Sequence, residues 1–417
     1  MVKEERTNRK ITLLASLGSA FEYYDFIIYG MMATYLSAVF FPTQTPGTAT
    51  LQAFLIFAVG YFARPLGGLF VGIIGDRFGR RPAFLISTSL MACSTLLIAF
   101  LPSYDTIGIV AVLLLMACRV IQGLSFGGEL PGAMTIVAEF SPVNRRGRKT
   151  SLVMASTSVG ALVAGGVLYF LSAMLNKEEI ISWGWRLPFL LGGILGLLLF
   201  IARNTLQETP IFEAFKEQYQ KNEPLAQLMK THKFSLVRGA ALTTFMAALI
   251  ITNLYFPYYI PKLFSYQISD VYLGTTISLV FVIFILPLMG MVSDFFLKKI
   301  RTLQWICVSY IILSVPIFLL LLTGNLLALW AFLMIQQLYI ALYAACLFPT
   351  LIRLFPPEVR YTGLALCYNA TWALMATLPI SYTAVMESYN TPWVVPIILS
   401  AIAGVSLLAS RRINDEE

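Results

Sequence analysis

Apolar runs of about 18 to 30 residues recur along nearly the whole chain, and each is long enough to cross a hydrocarbon core ~30 Å thick. Within lipid a lone segment must satisfy its own backbone hydrogen bonds, so such runs fold as helices. The strict apolar–polar alternation of a membrane barrel strand is missing. Of the 417 residues 58% are hydrophobic and 12% charged, against roughly 25% charged in soluble domains. The sequence therefore predicts an all-α membrane protein.

Twelve spans are predicted, at 11–39, 51–75, 83–102, 107–138, 150–175, 186–203, 236–261, 271–292, 303–322, 326–353, 362–386 and 393–410. The first apolar stretch is interrupted by Glu22 and Asp25 and lacks a small-residue cleavage site, so it is expected to be a retained helix and not a leader. Of 29 Lys and Arg residues, 24 fall at the chain ends and in the connections on one side of the spans. Only Lys177, Arg186 and Lys262 fall on the other side, and Arg64 and Arg119 lie inside spans. The positive-inside rule then places both termini in the cytoplasm. It also accounts for the net charge of +8 without nucleic acid as a partner. The five cysteines, all inside apolar segments at no metal-like spacing, read as small buried hydrophobes.

The longest polar stretch, 204–235, divides the chain into an N-terminal bundle at 1–203 and a C-terminal bundle at 236–417. The halves repeat. Gly72 is followed by Asp76, Arg80 and Arg81, and Gly290 by Asp294, Lys298 and Lys299 at the same intervals. Pro142 precedes Arg145 by three residues, as Pro357 precedes Arg360. Two pseudo-symmetric six-helix bundles with a mid-membrane site between them are the architecture of many secondary transporters. Glycines concentrate in the first half, 22 of 28 before residue 209, with pairs such as Gly123 and Gly127 spaced for close helix approach.

The loop Gly72-Ile-Ile-Gly-Asp76-Arg-Phe-Gly-Arg80-Arg81 and the segment Arg119-Val-Ile-Gln122-Gly123 resemble signatures of the major facilitator superfamily. Within it, five further segments resemble the metabolite:proton symporter family, whose members include proline/betaine, shikimate, 2-oxoglutarate and citrate carriers. These are EYYDF at 22–26, RPLGG at 64–68, QGLSFGGE at 122–129, WGWRLPF at 183–189 and ETP at 208–210. The second loop lacks the arginine after its aspartate and the glycine before its basic pair. The sequence ends at RRINDEE, with none of the long coiled-coil extension of osmosensing carriers, so osmotic activation of that kind is not expected. The resemblance implies uptake of a small polar, carboxylate-bearing metabolite such as proline, betaine or an organic acid. The transporter would be a monomer in a bacterial inner membrane, driven by the proton gradient with no cofactor.

Ionisable groups inside the membrane mark candidate function because each costs several kcal/mol unless paired or hydrated. Asp25, Arg64 and Arg119 all fall near mid-depth at ~1.5 Å rise per residue. Glu22 shares nearly one helical face with Asp25. A neighbouring acid and desolvation disfavour the ionised carboxylate, whereas an arginine favours it, which is the opposition proton coupling needs. Asp25 is the expected proton carrier, with Arg119 or Arg64 as counter-ion; either arginine could instead grip a substrate carboxylate. Glu129 reads as a second carrier or a gate residue. Tyr29, Gln122, Asn253, Tyr255, Gln336, Gln337, Tyr343 and Asn369 could hydrogen-bond solute or other helices. Gly72, Asp76, Arg80, Glu139, Arg145 and Asp294 are expected to form a cytoplasmic gate, latching helix ends that separate when the inside opens.

A nucleotide-driven pump is excluded because GRKT at 147–150 lacks the upstream glycine of a phosphate loop. An enzyme is not expected: the only histidine, His232, lies in the polar linker, and no metal-ligand cluster is present. An uncoupled facilitator, channel or non-transporting receptor is the alternative class.

Overall fold

The computed structural model describes residues 2–42, 44, 46–214, 216, 223–295, 298–389, 391–411 and 413. The helices used below are α1 (Val2–Phe40), α2 (Pro46–Arg77), α3 (Arg80–Phe100), α4 (Ile109–Glu139), α5 (Arg146–Met174), α6 (Arg186–Arg203), α7 (Lys233–Leu263), α8 (Ile268–Phe295), α9 (Lys299–Leu319), α10 (Leu326–Leu354), α11 (Arg360–Met375), α12 (Leu378–Tyr389) and α13 (Val394–Ser410). Among the described residues eleven helical stretches are long and apolar enough to cross a membrane, and α13 adds a shorter apolar helix of 17 residues. Hydropathy thus located most helix ends to within about four residues, but α1 begins nine residues before the first predicted span and α2 five before the second. The eleventh span departs from the single expected helix. It breaks after Met375, where Pro379 has no N–H to donate to the carbonyl four residues earlier. Among its described residues the linker 204–235 holds the short helices Pro210–Ala214 and Pro224–Thr231; its residues 215 and 217–222 lie outside the described set.

Contacts divide the chain into two compact units. The first comprises Met1–Phe140, Ser156–Gln227 and Pro357–Leu366; the second comprises Ser141–Ala155, Leu228–Pro356 and Cys367–Glu417. The opening turns of α5 therefore belong to the second unit and those of α11 to the first.

Inside the first unit, α2 packs along α4, α3 along α4 and α6, and α1 against α2, α4 and α6. The second unit repeats the scheme: α8 along α10, α9 along α10 and α13, and α7 against α8, α10 and α13. Lipid supplies no hydrophobic drive between helices, so close backbone packing must hold them. The glycines provide it in the first unit. A Cβ on Gly127 would lie 2.0 Å from the Arg64 carbonyl oxygen, and one on Gly123 would lie 2.2 Å from that of Gly60. The second unit packs rings instead, with Phe245 edge-on to Tyr310 at 5.1 Å and to Tyr343 at 5.0 Å.

Candidate functional site

The first unit buries three clusters of charge, one above another along its helices. The upper one centres on Asp25, which is wholly shielded from solvent. Its Oδ1 accepts the Thr95 hydroxyl at 2.6 Å, and its Oδ2 accepts the Gln122 amide at 2.6 Å. Gln122 Oε1 in turn accepts Arg119 Nη1 at 2.8 Å. Gln122 therefore stands as a bridge, carrying the arginine's polarisation to the acid through two hydrogen bonds. Arg119 also lies 4.3 Å from the centroid of the Tyr29 ring, and Tyr29 donates to the Ala53 carbonyl at 3.4 Å. Arg64 occupies an aromatic box, with its guanidinium 3.9, 5.3 and 5.8 Å from the ring centroids of Phe126, Tyr61 and Phe26. A cation held against ring faces is stabilised by their quadrupoles.

This network answers a proton simply. As a carboxylate, Asp25 accepts from Thr95 through Oδ1 and from Gln122 through Oδ2; once protonated it is also a donor, to which the Thr95 hydroxyl can turn as acceptor, whereas a proton on Oδ2 would require the Gln122 amide to turn. Asp25 and Arg119 are thereby joined through the one Gln122 side chain.

About two turns toward the linker end of α6, Glu129 pairs with Arg203 and accepts the Ser87 hydroxyl at 2.7 Å. Arg203 donates also to Thr88 and lies 3.5 Å from the centroid of the Phe84 ring. Glu22 is buried beside them. Sequence reasoning counts Arg203 with the basic linker and misses its place here, since the last residue of a span looks like a topology-setting charge. A signal does exist: Ser87, Thr88, Ser94 and Thr95 form a polar stripe with a seven-residue repeat down one face of α3.

The third cluster lies at the ends of α2, α3 and α4. Asp76 accepts the backbone N–H groups of Tyr361 at 3.1 Å and Thr362 at 2.8 Å, capping the start of α11. Its carboxylate is 3.5 Å from Arg80. Arg80 grips Glu139 with two hydrogen bonds of 3.2 Å, and Arg360 reaches the same carboxylate at 3.0 Å. Gly72 lies against Thr362, where a Cβ would come within 2.8 Å of its backbone. Arg145 is exposed and stands outside this group; its repeat counterpart Arg360 takes the place beside Glu139. Glu208, seen in sequence only as part of a motif, accepts the N–H groups of Arg80 at 3.0 Å and Arg81 at 3.1 Å. Gly79, with φ of +120°, makes that turn possible, and a Cβ there would strike Glu208.

The second unit builds the same cap. Asp294 accepts the N–H groups of Gly147 at 2.7 Å and Arg148 at 2.9 Å, at the start of α5. Lys299 lies 3.5 Å from it. The polar residues expected to meet solute differ in how well they are already satisfied. Tyr343 donates to the Leu242 carbonyl at 2.9 Å, Tyr255 pairs with Thr383 at 2.8 Å, and Asn253 donates back to Leu249 at 2.9 Å. Gln336 accepts from Tyr310 at 3.2 Å, while its buried Nε2 has no partner among the described residues. Gln337 and Asn369 are buried too.

A helical membrane bundle with a duplicated packing scheme and paired aspartate caps defines a transporter of the major facilitator type. The family model described as Major Facilitator Superfamily matches residues 16–379, and the chain belongs to that superfamily. The chain is 32% identical over 412 residues to the proline/betaine transporter of Escherichia coli (strain K12), covering 96% of this chain and 82% of that one. It is 30% identical over 384 residues to the citrate-proton symporter of Klebsiella pneumoniae, covering 90% and 85%. Among solved structures, the proton:xylose symporter XylE bound to 6-bromo-6-deoxy-D-glucose superposes with a TM-score of 0.75. That match has 20% identity and covers 98% of this chain and 95% of that one. The protein is thus a multi-pass membrane transporter and not an enzyme.

Proposed function

We propose that this transporter is a proton-coupled symporter that takes up a small, polar, carboxylate-bearing metabolite by alternating access. It needs no cofactor, because the proton gradient supplies the work. The observation that carries this reading is Asp25: a fully buried acid held by a hydroxyl and an amide, with a guanidinium one hydrogen bond further on. Such an acid can exist neutral or ionised, and each state favours a different arrangement of Gln122 and Arg119. Arg119 or Arg64 would bind the substrate carboxylate, since a guanidinium fork matches its two oxygens. The names of the relatives support zwitterions such as proline and betaine, or citrate-like acids, as the substrate class.

The basic connections support a bacterial inner-membrane placement with both termini cytoplasmic. On that orientation the Asp76–Arg80–Glu139–Arg360 network is a cytoplasmic latch. Its burial makes it strong when closed, and opening hydrates its charges.

The test is uptake into proteoliposomes of labelled proline, betaine and citrate under an imposed pH gradient, with internal pH recorded. Symport predicts uphill accumulation together with proton entry. Asp25→Asn should abolish accumulation while sparing exchange. Uptake without proton movement would instead establish an uncoupled facilitator.

A further inference from the structure

Glu129 and Glu22 line one tight crevice, together with Gly18, Thr88, Ser125 and Arg203. Both acids therefore face Arg203, and Glu22 also faces Arg64. Glu129 holds Arg203 now; Glu22 is 3% exposed, and its Oε1 has no hydrogen-bond partner among the described residues. Gly18 lies one helical turn before Glu22, on the same face of α1. A Cβ at Gly18 would fall 1.5 Å from Arg203 Nη2 and 2.7 Å from Glu129 Oε1. The guanidinium thus rests directly on the bare backbone of α1, one turn away from the second acid.

The charged and titratable groups facing Glu22 are Asp25 on its own helix, Arg64 from α2, Glu129 from α4 and Arg203 from α6. From α3, the Ser87 hydroxyl donates to Glu129 and the Thr88 hydroxyl accepts from Arg203. The Tyr361 phenol of α11 completes the surroundings and donates to the Gly128 carbonyl at 2.9 Å.

We infer that Glu22, Glu129 and Arg203 form a second protonation station in series with Asp25, with Arg203 as a positioning residue that exchanges one carboxylate for the other. The cycle starts with Glu129 as the carboxylate paired with Arg203 and with the proton on Glu22, whose Oε1 has no partner among the described residues. In the transfer the Glu22 O–H bond breaks, the proton forms an O–H bond on Glu129, and Arg203 turns over Gly18 to the new Glu22 carboxylate. Net charge in the crevice is zero before and after, so no bare charge is left buried. Proton release from Glu129 toward the linker end, reprotonation of Glu22 from Asp25 one turn away, and the return of Arg203 to the new Glu129 carboxylate together restore the starting arrangement and its zero net charge.

This inference rests on the proton-coupled reading above, and the experiment separates the two. Wild type, Asp25→Asn, Glu22→Gln, Arg203→Lys and the charge-neutral pair Glu129→Gln with Arg203→Met are reconstituted. Each is assayed for uphill uptake, exchange and internal pH, using whichever of proline, betaine and citrate the wild type accumulates. The expected result is loss of uphill uptake and proton entry in Glu22→Gln and in the double variant, with exchange retained. Arg203→Lys, which keeps the charge, should retain coupling but move the pH profile of uphill uptake. If the double variant fails to fold, the isosteric Glu22→Gln alone decides the matter. If Asp25→Asn loses coupling while Glu22→Gln accumulates solute as the wild type does, this inference is overturned and the symport reading stands. If wild-type uptake moves no protons, both fall.

Discussion

At the residue scale, the chemistry depends on donors that neutral side chains give to buried acids. Thr95→Val keeps the shape of the side chain and removes the hydroxyl that Asp25 Oδ1 accepts at 2.6 Å. Leaving a buried acceptor without its donor costs about 1–3 kcal/mol. The variant should melt earlier in detergent and lose uphill uptake, whereas Thr95→Ser should behave as the parent; a Val variant with parental melting and uptake would remove Thr95 from the site. The acid itself is legible in sequence because an ionisable residue in the middle of an apolar run is conspicuous. Its donors are not, since a threonine or glutamine in a membrane helix satisfies itself on its own backbone as readily as on a neighbour, as Thr88 does with Phe84. Arg203 is hidden for a related reason: its position at the end of a span mimics an ordinary flanking charge.

At the element scale, helix packing and helix capping decide the bundle. Gly127→Ala places a methyl group 2.0 Å from the α2 backbone, which cannot retreat as a side-chain tip could. Overpacking of this kind costs about 1–3 kcal/mol, and the thermal midpoint should fall clearly. Gly166→Ala, with nothing within 4 Å, is the matched control and should melt as the parent. The aspartate caps make a second element-level prediction. Asp76→Asn keeps an acceptor for the α11 N–H groups but removes the charge that faces their aligned dipoles and Arg80. The loss is about 0.3–2 kcal/mol, and it falls on one conformation, so transport rate should change more than stability. Unchanged rates in Asp76→Asn and Asp294→Asn would sink the latch. The repeat between the two loops is readable from residue intervals alone. The partners of the repeated residues are not: Lys299 approaches Asp294 at five residues' distance, whereas Arg80 approaches Asp76 at four.

At the scale of the whole molecule, the transporter should be stabilised by its substrate, because a solute that binds only the folded state shifts the unfolding equilibrium. Saturation at a hundredfold over Kd gives about 2.7 kcal/mol. A thermal-shift screen across amino acids, betaines and mono-, di- and tricarboxylates should therefore yield one chemical class of hits. Positive shifts confined to solutes without a carboxylate would reject the proposed substrate class. Sequence by itself determined that the chain crosses a membrane as twelve helical spans in two repeated halves, and which charges lie inside them. It could do so because a helix in lipid satisfies its backbone within one contiguous segment, so hydropathy along a line is enough. Only the tertiary structure decided that Gln122 links Arg119 to Asp25, that Arg203 belongs to Glu129, and that Arg360 rather than Arg145 meets Glu139. Apart from Arg119 and Gln122, neighbours three residues apart on one helix, those pairings join residues 74 to 221 positions apart. Each helical residue turns the side chain by about 100°, so which groups face each other depends on the rotation and crossing of whole helices, a quantity no local stretch of sequence contains.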